Sequence, residues 1–266
     1  KRVEIVKGPS STLYGSEAVA GLINIITKDP GSASQLNVDI NYTSYDELNA
    51  DVSAKFKLGK AHSLLGVNVF HFDKRYDINN DNFTDVTLQK RISLFNKWSF
   101  DRKNKLPFQV AVRLLTEDRW GGELQWNKTW RGSDSIYGES IYTKRLELIG
   151  NYGIKAGKEL VLLEYSYNLH DQNSYYGVTP YNARQHAGFA QLRWNKDVAK
   201  HSLSAGLPYR FTWYDDNTIA TMKPDGTTNY PSVQQMKGLF VQDEWKFHPN
   251  WTLLAGIRYE LTNMQG

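Results

Sequence analysis

The sequence predicts an all-β protein, and in particular a transmembrane antiparallel β-barrel. From about residue 35 onward, apolar residues recur at every second position, which is the period of a strand with two different faces. The connections between these runs alternate between short polar turns and longer irregular links. No apolar stretch approaches the roughly 18 residues that a membrane-crossing helix needs. Barrel strands are shorter and alternate in polarity, so they remain compatible with this absence.

The alternation predicts about eleven strands. In the first of them Leu36, Val38 and Ile40 alternate with Asn37 and Asp39. The predicted strands cover roughly residues 36–43, 48–57, 63–75, 88–101, 107–118, 140–155, 159–172, 185–197, 202–213, 235–247 and 251–260. Most of these runs exceed the usual soluble strand length of about 5 to 6 residues. Asp243 breaks the pattern because it falls among apolar positions, and a β-bulge or an exit from the membrane would explain it.

The links between strands carry the second signal. Short polar turns are predicted near residues 59–61, 102–105, 156–158, 197–200 and 248–250, and long links near 76–87, 119–139, 173–184 and 215–234. Barrels of bacterial outer membranes have this arrangement, with short turns on one side and longer loops on the other. Aromatic residues such as Trp98, Trp194 and Trp245 lie near strand ends, as in interfacial girdles. A soluble all-β domain with an aromatic core is the alternative.

The composition excludes several classes of protein. The chain has 266 residues, no cysteine, a formal net charge of +4 and a mean hydropathy of −0.56. The absence of cysteine excludes a disulfide scaffold, a thiolate metal site and a cysteine nucleophile. Basic and acidic residues are interspersed, so nucleic-acid binding is not expected. No acid–base or nucleophile constellation converges, so we predict no enzyme, no cofactor and no metal site.

The first 30 residues differ from the rest, because two short apolar strands flank a loop of small residues. Its glycines are too far apart for a dinucleotide-binding fingerprint. The segment from Arg2 to Lys28 closely resembles the end of the plug domain of TonB-dependent outer-membrane receptors. The matching positions, all at the spacing of that family, include Arg2, Glu4, Gly8, Pro9, Tyr14, Gly15, Gly21 and Asn24. Weaker similarity to barrel strands of the family lies at residues 239–245 and 254–259.

This resemblance implies a fold, a location and a function. Residues 1–30 would be the C-terminal end of the plug domain, and residues 31–266 would be the first part of the barrel. About eleven strands make about half of a 22-stranded barrel, and open edges are costly in lipid, so the chain is expected to be a fragment. The implied location is the Gram-negative outer membrane.

The implied activity is active import of a ferric siderophore, haem or cobalamin-type ligand. The implied partners are this metal chelate or vitamin, the lipid of the outer membrane, and the TonB energy-transducing complex, reached through plug residues absent from the sequence. An importer of glycans or other organic nutrients remains open. A passive porin or a barrel adhesin is the alternative from a different class, and the plug motif argues against both.

The long links supply candidate ligand-binding residues. They are aromatic residues near an arginine, which suit planar or catecholate-like ligands through stacking and cation–π contacts. This set is Trp120, Trp126, Trp130, Arg131, Tyr175, Tyr176 and Tyr181. Packing of loop against loop is the alternative role for each.

Two further sets of polar residues raise hypotheses. His170 lies on the polar side of its strand near the outer end, where it could meet a haem iron or be an ordinary polar histidine. His71 and His186 fit that side less well. In the plug motif, Arg2 and Glu4 share one strand face, so they could pair with barrel charges such as Glu164, Glu244 or Arg258.

Overall fold

A computed structural model describes residues 2–8, 12, 15, 18 and 20–263. This part of the chain forms thirteen strands in two antiparallel sheets. A small sheet pairs β1 (Arg2–Lys7) with β2 (Gly21–Ile26). The large sheet contains β3 (Leu36–Tyr42), β4 (Leu48–Leu58), β5 (Ala61–Phe72), β6 (Leu88–Phe100), β7 (Phe108–Gly122), β8 (Gly138–Ala156), β9 (Glu159–Tyr176), β10 (Thr179–Val198), β11 (His201–Asp216), β12 (Ser232–His248) and β13 (Trp251–Thr262).

The large sheet is a meander in which every strand pairs with the next, and β3 and β13 lie at its edges. The prediction of eleven barrel strands is therefore confirmed. Two short 3₁₀ turns, Lys128–Trp130 and Ile219–Thr221, lie in the links. No helix in the described ranges is long and apolar enough to cross a membrane.

The predicted long link at 173–184 is wrong. β9 continues to Tyr176 and β10 begins at Thr179, so a two-residue turn joins them. Gly177 has a φ of +57° and occupies the first turn position, where a tight hairpin requires a positive φ. Tyr175 and Tyr176 pair with Ser140 and Glu139 of β8, because aromatic residues favour the extended backbone. The three long links are therefore 73–87, 123–137 and 217–231, all at one end of the sheet, here called the long-link end.

The large sheet has two chemically different faces. The inner face lies against the β1–β2 hairpin and the segment that follows it. There Lys97 Nζ donates to Thr27 Oγ1 at 3.1 Å and Gln109 Nε2 donates to Asp29 Oδ2 at 3.0 Å. The outer face exposes apolar side chains; Ile92, for example, is 57% exposed. The outer-face residues with high exposure also include Val38, Val52, Leu114, Leu192, Leu207 and Leu239. A sheet of this kind requires apolar surroundings on its outer face.

Asp243 keeps its place on the outer face without a bulge. It pairs in register with Leu203 of β11 and Ala255 of β13, and the register shift lies further along, between Trp245 and His248. The carboxylate instead bonds to His201 Nδ1 at 2.7 Å. Of the two explanations for Asp243, a bulge at this residue is therefore wrong, whereas an exit of the strand from the membrane stays a prediction. A cross-strand hydrogen bond stabilises the acidic side chain.

Candidate ligand-binding face and plug contacts

The β1–β2 hairpin carries the plug motif. Its register runs from Arg2 opposite Ile26 to Lys7 opposite Gly21. Gly21 has a φ of +133°, and a Cβ there would lie 2.5 Å from the Val6 carbonyl oxygen, so only glycine fits the end of the hairpin. Gly8 also has a positive φ, of +93°. The predicted motif residues Pro9 and Tyr14 lie outside the described residues.

Two charged residues of the hairpin pair with each other. Arg2 Nη2 lies 2.7 Å from Glu4 Oε1, and Asn24 Nδ2 donates to Glu4 Oε2 at 3.0 Å. The described contacts of Arg2 and Glu4 lie within the hairpin, and the hypothesis that these residues pair with the barrel wall stays a prediction. Their spacing two residues apart on one strand face brings them to each other.

Other residues join the plug segment to the wall. Arg258 Nη1 on β13 donates to the carbonyl oxygen of Thr12 at 3.1 Å. The backbone of Gly15 also lies against this region, since a Cβ there would be 3.3 Å from Arg258 Nη2. Together with the bonds from Lys97 and Gln109, these contacts hold the segment inside the curve of the sheet. A cavity of about 970 Å³ remains between β2 and the inner face.

A band of charged residues crosses the inner face closer to the long-link end. Four arginines share two glutamates, so the band has a formal charge of +2 (four positive, two negative). Its ion pairs are Arg113–Glu147 at 2.7 Å, Arg145–Glu147 at 3.5 Å, Arg119–Glu117 at 2.8 Å and Arg91–Glu117 at 3.7 Å. We call these six residues the arginine band.

The arginine band is incompletely satisfied by the protein. Arg113 Nε is buried and donates to no acceptor among the described residues. His170 lies beside the band, and its Nδ1 is 3.4 Å from Arg145 Nε and 3.3 Å from Arg145 Nη2. His170 is thus on the inner face, as its alternation predicts. His186 lies on the outer face, where its Nδ1 is 2.6 Å from Tyr167 Oη.

The tryptophans of the 119–137 region form a small core. Trp120 and Trp126 are 8% and 3% exposed and pack with Phe72 and Leu88, while Trp130 packs against the cluster from outside. Trp126 covers the backbone of Gly138, where a Cβ would collide with its indole ring. These three predicted ligand-binding residues therefore contribute packing that shapes the link.

Arg131 holds the same link against the outer face. Its guanidinium lies between two aromatic rings, 4.4 Å from the centre of Tyr142 and 4.5 Å from that of Tyr175. Its Nε donates to Ser140 Oγ at 2.7 Å and its Nη2 to the Asn173 carbonyl at 3.0 Å. These partners occupy outer-face positions of β8 and β9. The structure thus brings Arg131 and Tyr175 together as predicted, on the side away from the inner face.

The remaining predicted tyrosines occupy inner-face positions. Tyr176 is 37% exposed at the end of β9. Tyr181 Oη lies 2.7 Å from Tyr214 Oη, which donates to Asp216 Oδ2 at 2.7 Å. The predicted set therefore divides by position. His170, Tyr176 and Tyr181 lie on the inner face, Trp120, Arg131 and Tyr175 lie on the outer side, and Trp126 and Trp130 pack within the 123–137 link.

The arginine band was not predicted from the sequence, although three of its arginines follow the polar alternation of their strands. Arg91, Arg113 and Arg145 each occupy a polar alternation position within a predicted strand. Arg119 fell in a predicted link, because β7 runs further than its apolar pattern indicates. In the described ranges, no group of three or more His, Asp or Glu side chains could hold a metal ion.

An antiparallel sheet with an apolar outer face, a polar inner face and a small hairpin inside its curve is part of a plugged membrane β-barrel. The family model described as TonB dependent receptor-like, beta-barrel matches residues 26–265. The chain belongs to this family of TonB-dependent receptors and is located in the Gram-negative outer membrane.

Individual relatives agree with this assignment. The chain is 23% identical over 271 residues to the iron-regulated outer membrane virulence protein of Vibrio cholerae serotype O1, covering 98% of this chain and 39% of that protein. The fold is similar to that of a mutant ferric enterobactin receptor of Pseudomonas aeruginosa, with a TM-score of 0.72, 14% identity, and 99% and 44% of the two chains covered. The pyoverdine receptor FpvA of the same organism gives a TM-score of 0.71, 13% identity, and coverage of 98% and 45%. The chain therefore spans about two fifths of the length of these proteins.

Proposed function

We propose that this chain is part of a receptor that binds an anionic metal chelate, a ferric siderophore, and imports it by TonB-dependent transport. The arginine band is the observation that carries this proposal. It lies on the inner face between the plug hairpin and the long links, where a ligand from outside would pass.

The chemistry of the band fits a ligand rich in negatively charged oxygen atoms. Guanidinium groups donate several hydrogen bonds in a fixed plane, and charge-assisted bonds are the strong ones. The excess charge of +2 leaves binding capacity that the two glutamates do not use. The three inner-face residues His170, Tyr176 and Tyr181 add an imidazole and two phenol rings near this surface.

The similar proteins support the same substrate class. One is named as iron-regulated, and two of similar fold are named as receptors for ferric enterobactin and pyoverdine. TonB is the proposed energy source because the family is defined by dependence on it. Two of these similar proteins are receptors by name.

The band is tested by removing its charge in the full-length receptor. Arg113→Ala and Arg145→Ala should each weaken binding of a radiolabelled anionic ferric chelate about tenfold or more, since a hydrogen bond to a charged group contributes about 1.5–3 kcal/mol. Arg131→Ala is the matched control, because it removes the same charge from the outer side. Equal losses in all three variants would argue against the inner-face site.

Energy dependence tests the transport class separately. Collapse of the proton-motive force in intact cells should stop uptake while leaving surface binding unchanged. Uptake that continued would instead indicate a passive pore.

A further inference from the structure

We propose that the short-turn end of the sheet binds an anionic polymer of the periplasm, the carboxylate-bearing peptidoglycan of the cell wall. The binding surface consists of lysines in and beside four consecutive short turns, which join β4 to β5, β6 to β7, β8 to β9 and β10 to β11. The short turns of outer-membrane barrels face the periplasm. This surface lies at the opposite end of the strands from the long links, and it includes no residue of the arginine band.

Positive charge is concentrated at these four turns. Residues 57–60, 101–105, 155–159 and 196–200 contain nine Lys and Arg against three Asp and Glu, which gives a formal charge of +6. The whole chain carries +4, so all its other residues together carry −2. The positive charge is therefore a property of the short turns, whereas the rest of the chain is slightly acidic.

Most of these cations have no partner within the protein. Lys196 pairs with Glu159 at 2.7 Å, and the guanidinium of Arg102 stacks on a tyrosine ring at 4.2 Å. The others are exposed and form no ion pair in the part of the chain that the structure describes. They are Lys57, Lys60, Lys103, Lys105, Lys155, Lys158 and Lys200. We call these seven residues the lysine rim.

The lysine rim follows the edge of the sheet and also faces the mouth of the barrel. Neighbouring strands are about 4.8 Å apart, so consecutive short turns are about 10 Å apart and the four turns span about 30 Å. Lys57 lies on the strand face of Lys55, whose Nζ donates to the carbonyl oxygen of Gly31 inside the sheet at 3.5 Å. Lys155 lies on the strand face of Asn151, which lines the inner cavity. The rim therefore presents a row of separate positive charges, part of it turned away from lipid.

An aromatic belt on the outer face shows that the turns extend beyond the membrane interface. The ring centroids of Phe100 and Phe108 are 4.4 Å apart, and those of Phe108 and Tyr152 are 5.2 Å apart. Such belts lie at the level of the lipid headgroups. Phe100 ends β6 and Phe108 begins β7, so Lys103 and Lys105 in the turn between them lie past this level, in periplasmic water.

The composition of the turns favours a polymer over a folded protein. Protein interfaces are enriched in aromatic residues and depleted in lysine, and a few buried anchors supply most of their binding energy. The turns at 59–60, 101–107, 157–158 and 199–200 contain no aromatic residue. A polyanion needs no such anchor, because many separate contacts between exposed charges add up along its length. The carboxylates of peptidoglycan supply such charges in the periplasm.

The test is sedimentation of the purified full-length receptor, in neutral detergent at low salt, with purified peptidoglycan sacculi. The unmodified receptor should sediment with the sacculi, and added salt should release it because exposed charges are screened. The combined substitution Lys103→Gln, Lys158→Gln and Lys200→Gln should weaken binding about tenfold. Unchanged binding in this variant would overturn the proposal.

The matched control removes the same charge from the other end of the sheet. It combines Lys74→Gln, Lys128→Gln and Lys223→Gln, one exposed lysine from each long link, and it should bind sacculi as the unmodified receptor does. Equal losses in the two triple variants would overturn the proposal, because net charge alone would then explain them. Equal circular dichroism spectra verify that all three receptors are folded.

Two further arms identify the bound chemistry. Sacculi whose carboxylates have been converted to amides by carbodiimide coupling should not sediment the receptor, and sedimentation that persists would overturn the carboxylate assignment. Phosphatidylglycerol vesicles should compete poorly with sacculi, and efficient competition would assign the lysine rim to lipid headgroups instead. Binding of the ferric chelate is measured separately, so a failure here would leave the transport proposal standing.

Discussion

Two arginines on opposite sides of the large sheet differ in how fully the protein uses them. Arg131, on the outer side, stacks between Tyr142 and Tyr175 and donates to Ser140 and Asn173. Arg113, on the inner face, bonds to Glu147 but leaves its Nε buried without an acceptor among the described residues. Arg131 is therefore held by rings and acceptors on neighbouring strands, whereas Arg113 belongs to a band in which positive charge exceeds negative charge.

The surroundings of charged residues also differ between the two faces. On the inner face water and ligand can complete an unfinished hydrogen bond, so charged residues there can share partners. On the outer face lipid offers no such partner, and Asp243 there is bonded to His201. An arginine next to aromatic residues in a sequence therefore indicates a ligand site only once its face is known.

The largest expected difference between the two faces is the loss of stability when a glycine is replaced by a larger residue. A Cβ at Gly206 on the inner face would lie 2.5 Å from Cε1 of the fully buried Phe240, so Gly206→Val should destabilise the barrel by about 1–3 kcal/mol. Gly188→Ala on the open outer face should change stability by about 0.5 kcal/mol or less. Urea unfolding of the refolded full-length receptor measures both, and similar losses would contradict the packing difference.

The arginine comparison predicts a smaller, local effect. Arg131→Met removes charge-assisted hydrogen bonds of about 1.5–3 kcal/mol each, so amides of the 123–137 link should exchange with deuterium at least about tenfold faster. Arg113→Met should leave exchange in that link unchanged. Equal exchange in the two variants would show that Arg131 does not hold the link.

Charge pairs should also differ between the faces. His201→Leu leaves Asp243 unpaired near lipid and should cost about 1 kcal/mol, because charged groups on a lipid face are costly by an amount that falls toward the interface. Adding Asp243→Leu should restore stability. Arg193→Leu on the inner face should cost less, since its partner Glu164 also accepts from Gln191 Nε2 at 3.2 Å. Comparison of unfolding midpoints tests this order.

The smallest effect is a pH dependence in the link 217–231. The Thr228 hydroxyl, 2.6 Å from Asp225 Oδ2, and the backbone amides of Thr228 and Thr227 lower the pKa of Asp225 to about 2. A depressed pKa stabilises the folded link above the unfolded value of about 3.9, and this contribution is lost as the pH falls toward 2. At pH 4, pepsin should therefore cut the link faster in Asp225→Asn than in the unmodified receptor, and this excess should shrink at pH 2. Comparison of the two receptors at the same pH removes the pH dependence of pepsin itself, and equal rates at pH 4 would contradict this assignment.

The sequence predicted the face of a site residue correctly where the polar and apolar alternation of its own strand was enough to assign that face. The polar position of His170 placed it correctly on the inner face, and the same rule applied to Arg113 and Arg145 would have found most of the arginine band. It gave no face for Trp126 and Arg131, because a link residue has no alternation and its partners, such as Gly138 and Tyr142, come from another strand. Ligand binding by these two residues stays a prediction.

The sequence by itself determined the all-β class, the eleven strands, the two faces and the plug motif, because a period of two and a local motif are properties of neighbouring residues. Only the tertiary structure decided that the 173–184 link is a tight turn, that Arg2 pairs with Glu4, and that Asp243 bonds to His201. It also decided which aromatic residues are buried. These features depend on contacts between residues that are distant in the sequence, and strand register and side-chain direction determine which residues come into contact.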